Sequence, residues 1–436
     1  MKQYYIYTYG CQMNVHESEK IAGFLEARGY KLTQSVENAD VVVFNTCCIR
    51  ESAEQKIMGN IGAMKPLKKK NKDLIVAICG CMSQQKNMSN TIKSKFPFVD
   101  IIFGANNIEY FGDFLDEFNE NKKYLERVVE GDYIESANPI NYVRDNNLYA
   151  YVNIMYGCNN FCTYCIVPYV RGREISRSPE SIYAEVKDLI KSGYKVITLL
   201  GQNVNSYGND GKFNITFPEL LKTIASFEGD FELRFMTSHP KDISDELISV
   251  MAKSPKISKT LHLPAQSGSN DILKSMNRNY TIEKYLASIE KVKKAIPDIA
   301  LSTDIIVGFP GESEDDYLKT VELIKKVRYH NAFVFMYSKR KGTIAEKLEN
   351  QIPIGVKHER INNLLAIQHT ISNEIFMDYV GKTIRVLVES KTDSAFIAKA
   401  QCGKVVRIQT DLDILNKFVD VKIEEYKSGD LIGKLV

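Results

Sequence analysis

Three cysteines fall within eight residues, at Cys158, Cys162 and Cys165, in the stretch Gly-Cys-Asn-Asn-Phe-Cys-Thr-Tyr-Cys. A tight loop can turn three such thiolates toward one centre. Thiolates hold iron–sulfur clusters, normally four to a cubane. Structural zinc also takes four ligands, and no fourth Cys or His follows locally. A cubane on three protein ligands leaves one iron open to a small molecule, which makes it a reactive centre and not only an electron store. Of the nine cysteines, five more lie in the first 81 residues, at 11, 47, 48, 79 and 81, each at or near the end of an apolar run; Cys402 stands apart. The amino terminus, Met-Lys-Gln-Tyr-Tyr-Ile, lacks a signal-peptide pattern. The expected location is therefore the cytoplasm, where thiols stay reduced and metal binding or catalysis accounts for clustered cysteines better than disulfides do. Burial as a small hydrophobe is the plainer account of Cys402 and of one of Cys48 and Cys79.

The elements that must position these thiols form three groups. Residues 1–125 contain candidate strands Tyr4–Tyr9, Val41–Thr46, Leu74–Cys79 and Ile101–Gly104, with helices Glu17–Arg28 and Glu51–Met64 between them. This rhythm predicts a small parallel α/β domain. Ligands in such sheets collect at the carboxyl ends of strands. Cys11, Cys47 and the pair Cys79/Cys81 follow three of those ends, so thiols distant in sequence can converge. Residues 126–146 lose helical periodicity and predict a linker or connecting strand. Residues 147–378 carry six candidate strands, Tyr149–Tyr156, Val196–Leu200, Glu232–Ser238, Thr260–Pro264, Ala300–Gly308 and Ala332–Tyr337, most of them separated by helical patterns such as Pro179–Ser192, Phe217–Phe227 and Glu314–Val327. Six such units predict an open partial (β/α)6 barrel, two short of closure, whose open side admits a bulky substrate. A long connecting helix is expected over Val356–Tyr379. In 379–436 five short strands, Thr383–Glu389, Phe396–Ala400, Val405–Ile408, Phe418–Ile423 and Leu431–Val436, predict a small β-barrel. A net charge of +3 on 57 basic and 54 acidic residues neither requires nor excludes nucleic acid. No apolar run approaches the roughly 18 residues of a membrane span. The basic run Lys65–Lys72 is expected as a solvated loop.

Strand alternation locates a lumen in the middle unit. Polar side chains are tolerable inward or at strand ends but not against the surrounding helices. If Ile305 and Val307 face helices, Ser302 and Asp304 point inward; if Leu233 and Phe235 face helices, Arg234 and Ser238 point inward. Asn153 points inward by the same count, and Gln202 and Gln266 lie at strand ends. His262 is lumenal, as a ligand or as a satisfied core histidine. Buried Arg234 and Asp304 would be costly alone; they could pair with each other or bind the charged parts of a cofactor.

The loop Cys-x3-Cys-x2-Cys after the first strand of a partial barrel resembles the signature of the radical S-adenosylmethionine enzymes. The longer words Gly157–Arg177, Leu200–Asn205, Thr237–Pro240, Leu263–Ser269 and Ile306–Glu312 resemble the methylthiotransferases of that class, as do Thr8–Asn14, Asn45–Glu51 and Gly80–Met82. The resemblance spans almost the whole chain. It implies that Cys158, Cys162 and Cys165 hold a [4Fe-4S] cluster whose open iron binds S-adenosylmethionine. It also implies a second [4Fe-4S] cluster on Cys11, Cys47 and Cys81, with Cys48 and Cys79 as extra thiols. Asp304 is assigned to the catalytic set, and Tyr164, Gln202, Arg234, Ser238, Gln266 and Gly308 to cofactor binding. The carboxyl-terminal strands resemble the TRAM domain, which binds RNA. The word Cys11–Gln12–Met13–Asn14 resembles the branch acting on isopentenyladenosine beside the anticodon of tRNA; the sister branches act on threonylcarbamoyladenosine or on a ribosomal protein. A non-enzymatic iron–sulfur carrier or RNA-binding protein is the remaining alternative. The implied chemistry is cleavage of S-adenosylmethionine to a radical that removes hydrogen from C2 of the adenine, with sulfur from the second cluster. It needs an external electron donor and a sulfur donor, and no membrane.

Overall fold

The computed structural model describes residues 1–48, 51–129, 131–133, 141–144 and 147–436. Its first unit is a six-stranded, wholly parallel sheet in the order Lys31–Leu32, Gln3–Thr8, Val41–Thr46, Ile75–Gly80, Ile101–Phe103, Leu125–Arg127. Val41–Thr46 and Ile75–Gly80 are buried at every position, as a parallel strand covered on both faces must be. The strands at the two edges are additions to the sequence reading. They have two and three residues, too few to show a period, and the second carries the sheet to Arg127, inside the stretch read as a linker. The helix after the first strand runs Gln12–Glu26 and starts five residues before the expected Glu17. Its opening turns bury Asn14, His16, Glu17 and Lys20, polar residues that a pattern based on apolar spacing assigns to solvent. The run at Lys65–Lys72 is mostly the helix Met64–Lys70 rather than a loop, and Lys68 folds back to Asp100 at 2.6 Å.

The second unit has six parallel strands. Tyr149–Asn153, Val196–Leu200 and Glu232–Phe235 form one three-stranded sheet, and Thr260–His262, Ala300–Val307 and Asn331–Met336 another. The parallel bridge Leu233–Ile257 joins them into an open, barrel-like wall. Along Ala300–Val307, Leu301, Thr303, Ile305 and Val307 are buried, while Ser302, Asp304 and Ile306 are half-buried on the open inner face. Two strands end earlier than expected. Met155–Tyr156 turns aside to pair antiparallel with Ile175–Ser176. The third strand stops at Phe235, and Thr237 takes a left-handed φ of 69°, so Ser238 lies in the loop beyond the strand and not on its inward face.

Helix Ile354–Met377 leads to a closed barrel of five strands, Thr383–Lys391, Phe396–Ala400, Val405–Ile408, Asp430–Leu435 and Phe418–Lys427 in spatial order. Phe376, from the helix, is part of its core. This small barrel meets the amino ends of the larger unit's strands. Tyr149 bonds Glu389, the Lys259 amide donates to Gln401 at 3.0 Å, and Arg385 pairs with Asp230 at 2.7 Å.

The first unit meets the larger one through buried charge. Glu185 receives His16 at 3.0 Å, Arg144 at 2.8 Å and Arg177 at 2.9 Å. Lys20 reaches Glu109 at 2.5 Å and the hydroxyls of Tyr133 and Tyr156 at 3.2 and 3.1 Å. Tyr133 and Arg144 belong to the stretch read as a linker, so at least two of its described residues are packed into the seam. Burial pushes the His16 imidazole down to about 3, from an ordinary value of 6.5. His16 is thus neutral in the fold but takes up a proton when unfolded below 6.5, so stability falls as pH drops through that value toward 3. This single residue accounts for about 2 kcal/mol between about pH 7 and pH 5. His16→Gln, which keeps a donor toward Glu185, should flatten the dependence of the thermal midpoint on pH over that interval. An unchanged slope would assign the titration to other groups.

Candidate active site and metal centres

The loop Cys158–Cys165 leaves the carboxyl end of the first strand of the open barrel. Cys158 and Cys162 are buried and Cys165 is half-buried. The loop is held from outside itself. The Cys158 amide donates to Gly172 O at 3.2 Å and the Thr163 amide to Met276 O at 3.0 Å, while the Asn277 amide group donates to the carbonyls of Asn160 and Phe161 at 3.2 and 3.0 Å. Two donors point at sulfur: Asn160 Nδ2 to Cys158 Sγ at 3.3 Å, and the buried Arg278 to Cys162 Sγ at 3.5 Å. Arg278 also donates to Pro264 O at 2.9 Å, tying the loop to the end of the fourth strand. Burial pushes the Cys158 thiol up to about 11 and Cys165 to about 12. Neutral thiols in such a place become ligands when a bound metal displaces their protons.

Unpaired polar atoms gather at the same mouth. Both amide atoms of Asn153, the carbonyl oxygens of Gln202 and Gln266, Asn205 Nδ2 and His239 Nε2 are buried without a hydrogen-bond partner. Each costs about 1–3 kcal/mol if left so, and together they mark a polar ligand site at strand ends. Gln266 holds a left-handed φ of 67°, its amide donating to Asp304 O at 2.8 Å. Asp304 meets His262 at 3.4 Å, and His262 in turn meets Ser302 at 3.0 Å. Arg234 pairs with Glu232 on its own strand and not with Asp304, because the two residues sit in different three-stranded sheets. Ser238 Oγ bonds Asn205 at 3.3 Å. The Gly308 amide is committed to Glu312 at 2.7 Å. Tyr164 packs with Phe309 and Tyr337 beside the cysteine loop.

The second group of cysteines lies at three strand ends of the first sheet. Cys11 caps helix Gln12–Glu26 in an extended conformation. Gly10, at φ 118°, lies so close to Cys47 that a Cβ on it would come 2.7 Å from Cys47 Cβ and 3.0 Å from its sulfur. Asn14 joins two of the ends: its side chain donates to Tyr9 O at 2.9 Å and Thr46 O at 3.1 Å and accepts from Cys11 Sγ at 3.6 Å. Cys81 receives Arg171 Nε at 3.0 Å. A hydrogen bond with Cys48, together with Arg171 and against burial, holds the Cys81 thiol below its ordinary value. Gly80, at φ 96°, turns the chain, so Cys79 and Cys81 enter different cores: Cys79 packs with Tyr4, Ile21 and Val41, Cys81 with Cys48, Met82 and Ile166. Although two residues apart, Cys79 and Cys81 do not share one face, because the strand ends at Gly80 between them.

The chain matches the Radical SAM superfamily over residues 152–324, Uncharacterized protein family UPF0004 over 3–104 and the TRAM domain over 378–436. It is 53% identical to a tRNA-2-methylthio-N(6)-dimethylallyladenosine synthase of Clostridium botulinum (strain Langeland), an alignment covering 99% of this chain and 96% of that one. A protein of the same name from Thermoanaerobacter sp. (strain X514) is 51% identical over 99% of this chain and 92% of its own. The chain belongs to the methylthiotransferase family of radical S-adenosylmethionine enzymes. Among solved structures, the radical S-adenosylmethionine methyltransferase TsrM of Kitasatospora setae, with cobalamin and a [4Fe-4S] cluster bound, shares the fold. Its TM-score is 0.60 at 12% identity, covering 79% of this chain and 77% of that one. The cobalamin-dependent enzyme OxsB superposes with a TM-score of 0.53 at 12% identity, covering 85% of this chain and 56% of its own.

As a member of the radical S-adenosylmethionine superfamily, this methylthiotransferase uses S-adenosylmethionine and a [4Fe-4S] cluster. The donor set fits that pair, with three sheltered thiols in one loop and unpaired amide groups beside them. Among the described residues, no three His, Cys, Asp or Glu side chains converge as around a single metal ion. A cubane does not require that, because each thiolate holds a different iron. Arg278, Arg171 and Asn14 are absent from the sequence-based site. Asn14 stands in the quoted word after Cys11 and Arg171 in the word after Cys165, but only folding brings either to sulfur. Anaerobically reconstituted protein should hold about eight irons, four per cubane. Replacing Cys158, Cys162 and Cys165 by Ala should leave about four. Cys81→Ala should also lose about four, whereas Cys79→Ala should lose none; iron loss from Cys79→Ala would overturn the placement of the second centre.

Proposed function

We propose that this methylthiotransferase acts on tRNA, adding a methylthio group to C2 of an adenosine that already carries an N6-isopentenyl group beside the anticodon. The observation that carries this reading is identity above half with enzymes named for that reaction, over nearly the entire length of both chains. The TRAM match over 378–436 and the word Cys11–Gln12–Met13–Asn14 support it. In this proposal the chain works as three units, 1–125, 147–378 and 379–436, joined through 126–146. It acts in the cytoplasm; no helix among the described residues is long and apolar enough to cross a membrane.

Cys158, Cys162 and Cys165 hold the cluster that binds S-adenosylmethionine, and Cys11, Cys47 and Cys81 hold a second one. When bound, these groups supply the radical that breaks an unactivated C–H bond and the sulfur that replaces the hydrogen, given an external electron donor and a sulfur donor. The chain's own part is placement. Asn160 and Arg278 orient and charge-compensate the first thiol group. Gln202 and Gln266 present unpaired carbonyl oxygens to the polar end of S-adenosylmethionine. Tyr164 and Gly308 shape the wall beside the cysteine loop, and Ser238, seated on Asn205, shapes the floor of the mouth. Asp304 and Arg234 lie deeper on the open inner face, where Asp304, braced by His262, contacts the ribose or base. Sulfur of Met13 meets Gln202 at 2.7 Å, so the word that opens the first helix lies on the rim of the same mouth.

Mass spectrometry of anticodon-loop nucleosides tests this directly. Incubation with isopentenylated tRNA, S-adenosylmethionine and a reductant should give the 2-methylthio nucleoside. The same tRNA lacking the isopentenyl group should react some 30- to 150-fold more weakly, for loss of about 2–3 kcal/mol of apolar burial. Product on threonylcarbamoyladenosine or on a ribosomal protein, with none on isopentenylated tRNA, would move the chain to a sister branch.

A further inference from the structure

One buried cation is not used by the mechanism above. Arg171 ends the short helix Val167–Arg171, six residues after Cys165, and is 2% exposed. Its guanidinium leaves its own unit and enters the first one. Nε donates to Cys81 Sγ at 3.0 Å, both terminal nitrogens bond the Glu17 carboxylate, and Nη2 donates to Asn14 Oδ1 at 3.2 Å. That same oxygen accepts from Cys11 Sγ at 3.6 Å, and the Asn14 amide nitrogen holds the carbonyl of Thr46, just before Cys47. One side chain from the radical loop thus touches one thiol directly and reaches the other two strand ends through a single asparagine.

A plain interdomain ion pair would need Arg171 and Glu17 but no sulfur. The contact to sulfur changes the chemistry. A guanidinium is always a cation and only a donor, so its bond to Cys81 favours the thiolate. Hydrogen bonds to sulfur and net local charge are among the levers that set cluster potentials. An added electron makes a cluster more negative; a buried cation within hydrogen-bond distance of a ligand stabilises that state, and a carboxylate nearby opposes it.

We propose that Arg171 is a positioning residue of the second centre, contributed by the unit that carries the first: it completes the cradle of Cys11, Cys47 and Cys81 and raises the reduction potential of the cluster they hold, while Glu17 lowers it. The proposal rests on the assignment of a cluster to those three cysteines. It makes the second centre dependent on docking of the radical loop, so that the sulfur-bearing centre is complete only when the two units are in register.

The test uses the full chain with Cys158, Cys162 and Cys165 replaced by Ala, reconstituted anaerobically so that only the second centre remains. Iron content and a redox titration followed by electron paramagnetic resonance are read for this parent and for Arg171→Gln, Arg171→Lys and Glu17→Gln added to it. Arg171→Gln should lower the reduced-to-oxidised ratio at a fixed potential at least tenfold, about 59 mV for one electron. Glu17→Gln should raise it, and Arg171→Lys, keeping charge but losing the fork, should fall between the parent and the Gln variant. Potentials equal to the parent's in both Arg171→Gln and Glu17→Gln would overturn the proposal and leave a purely structural ion pair. If Arg171→Gln retains no iron, Glu17→Gln decides by the same criterion. A parent that binds no iron would instead refute the cysteine assignment, and the proposal with it.

Discussion

Helix Gln12–Glu26 carries His16, Glu17 and Lys20, each at most 1% exposed. A buried charge without a partner is among the costliest defects a fold can hold, and breaking one such pair typically costs about 3–5 kcal/mol. Glu17 and Lys20 carry the charge, and their counter-groups are specific: Arg171 for Glu17, and Glu109 with Tyr133 and Tyr156 for Lys20, while the neutral His16 hydrogen-bonds Glu185. Glu185 is in turn shared with Arg144 and Arg177. An apolar seam would tolerate sliding, but this one is satisfied in one register only. That register sets the carboxyl ends of the small parallel sheet, with Cys11, Cys47 and Cys81, against the carboxyl ends of the open barrel, with Cys158, Cys162 and Cys165. The two sets of thiols are brought together by electrostatic necessity, through a seam in which Arg171, the partner of Glu17, itself reaches Cys81.

The same arrangement has a consequence for the substrate. The small carboxyl-terminal barrel meets the amino ends of the larger unit's strands, at Tyr149, Asp230 and Lys259, whereas the thiols lie at the opposite ends. An RNA engaged by both has to span the height of the wall, roughly 20 Å for strands of about six residues. Six strands leave the lumen open on one side, and that side offers a base a path to the mouth without passing through a closed pore. An RNA held by the TRAM unit is thus held at a distance from the mouth where the thiols lie.

Much of this architecture was legible in the residues. Val41–Thr46 and Ile75–Gly80 are short apolar runs buried on both sides, which is what parallel strands require. The five strands after Gly381 are separated by polar turns and fall close to where alternation puts them. The three-thiol loop is contiguous, so spacing alone announced it. What stayed hidden depended on partners remote in sequence. Asn14 and Lys20 look like solvent-facing residues of a helix until the strand ends and Tyr156 are folded against them. Arg171 and Arg278 read as ordinary surface cations, because nothing local shows that each ends beside a sulfur. The inward arginine and aspartate of the barrel, Arg234 and Asp304, invited pairing by charge, yet period-two alternation gives a direction and not a neighbour, and each has a closer partner in Glu232 and His262. For a related reason alternation puts Ser238 on the strand's inward face: a period of two does not show where a strand ends, and this one ends at Phe235.

Arg171 at Cys81 and Gln202 at Met13 set the cysteines of the first sheet beside the mouth that carries Cys158, Cys162 and Cys165, with Glu17 and Lys20 buried in the seam. If Cys11, Cys47 and Cys81 hold the second cluster proposed above, two paramagnetic centres so placed must interact. With both clusters reduced, the electron paramagnetic resonance spectrum of the holoenzyme should show dipolar broadening and faster relaxation than the added spectra of two single-centre forms, one lacking Cys158, Cys162 and Cys165 and the other lacking Cys11, Cys47 and Cys81. A holoenzyme spectrum equal to that sum would place the two centres apart and contradict the account.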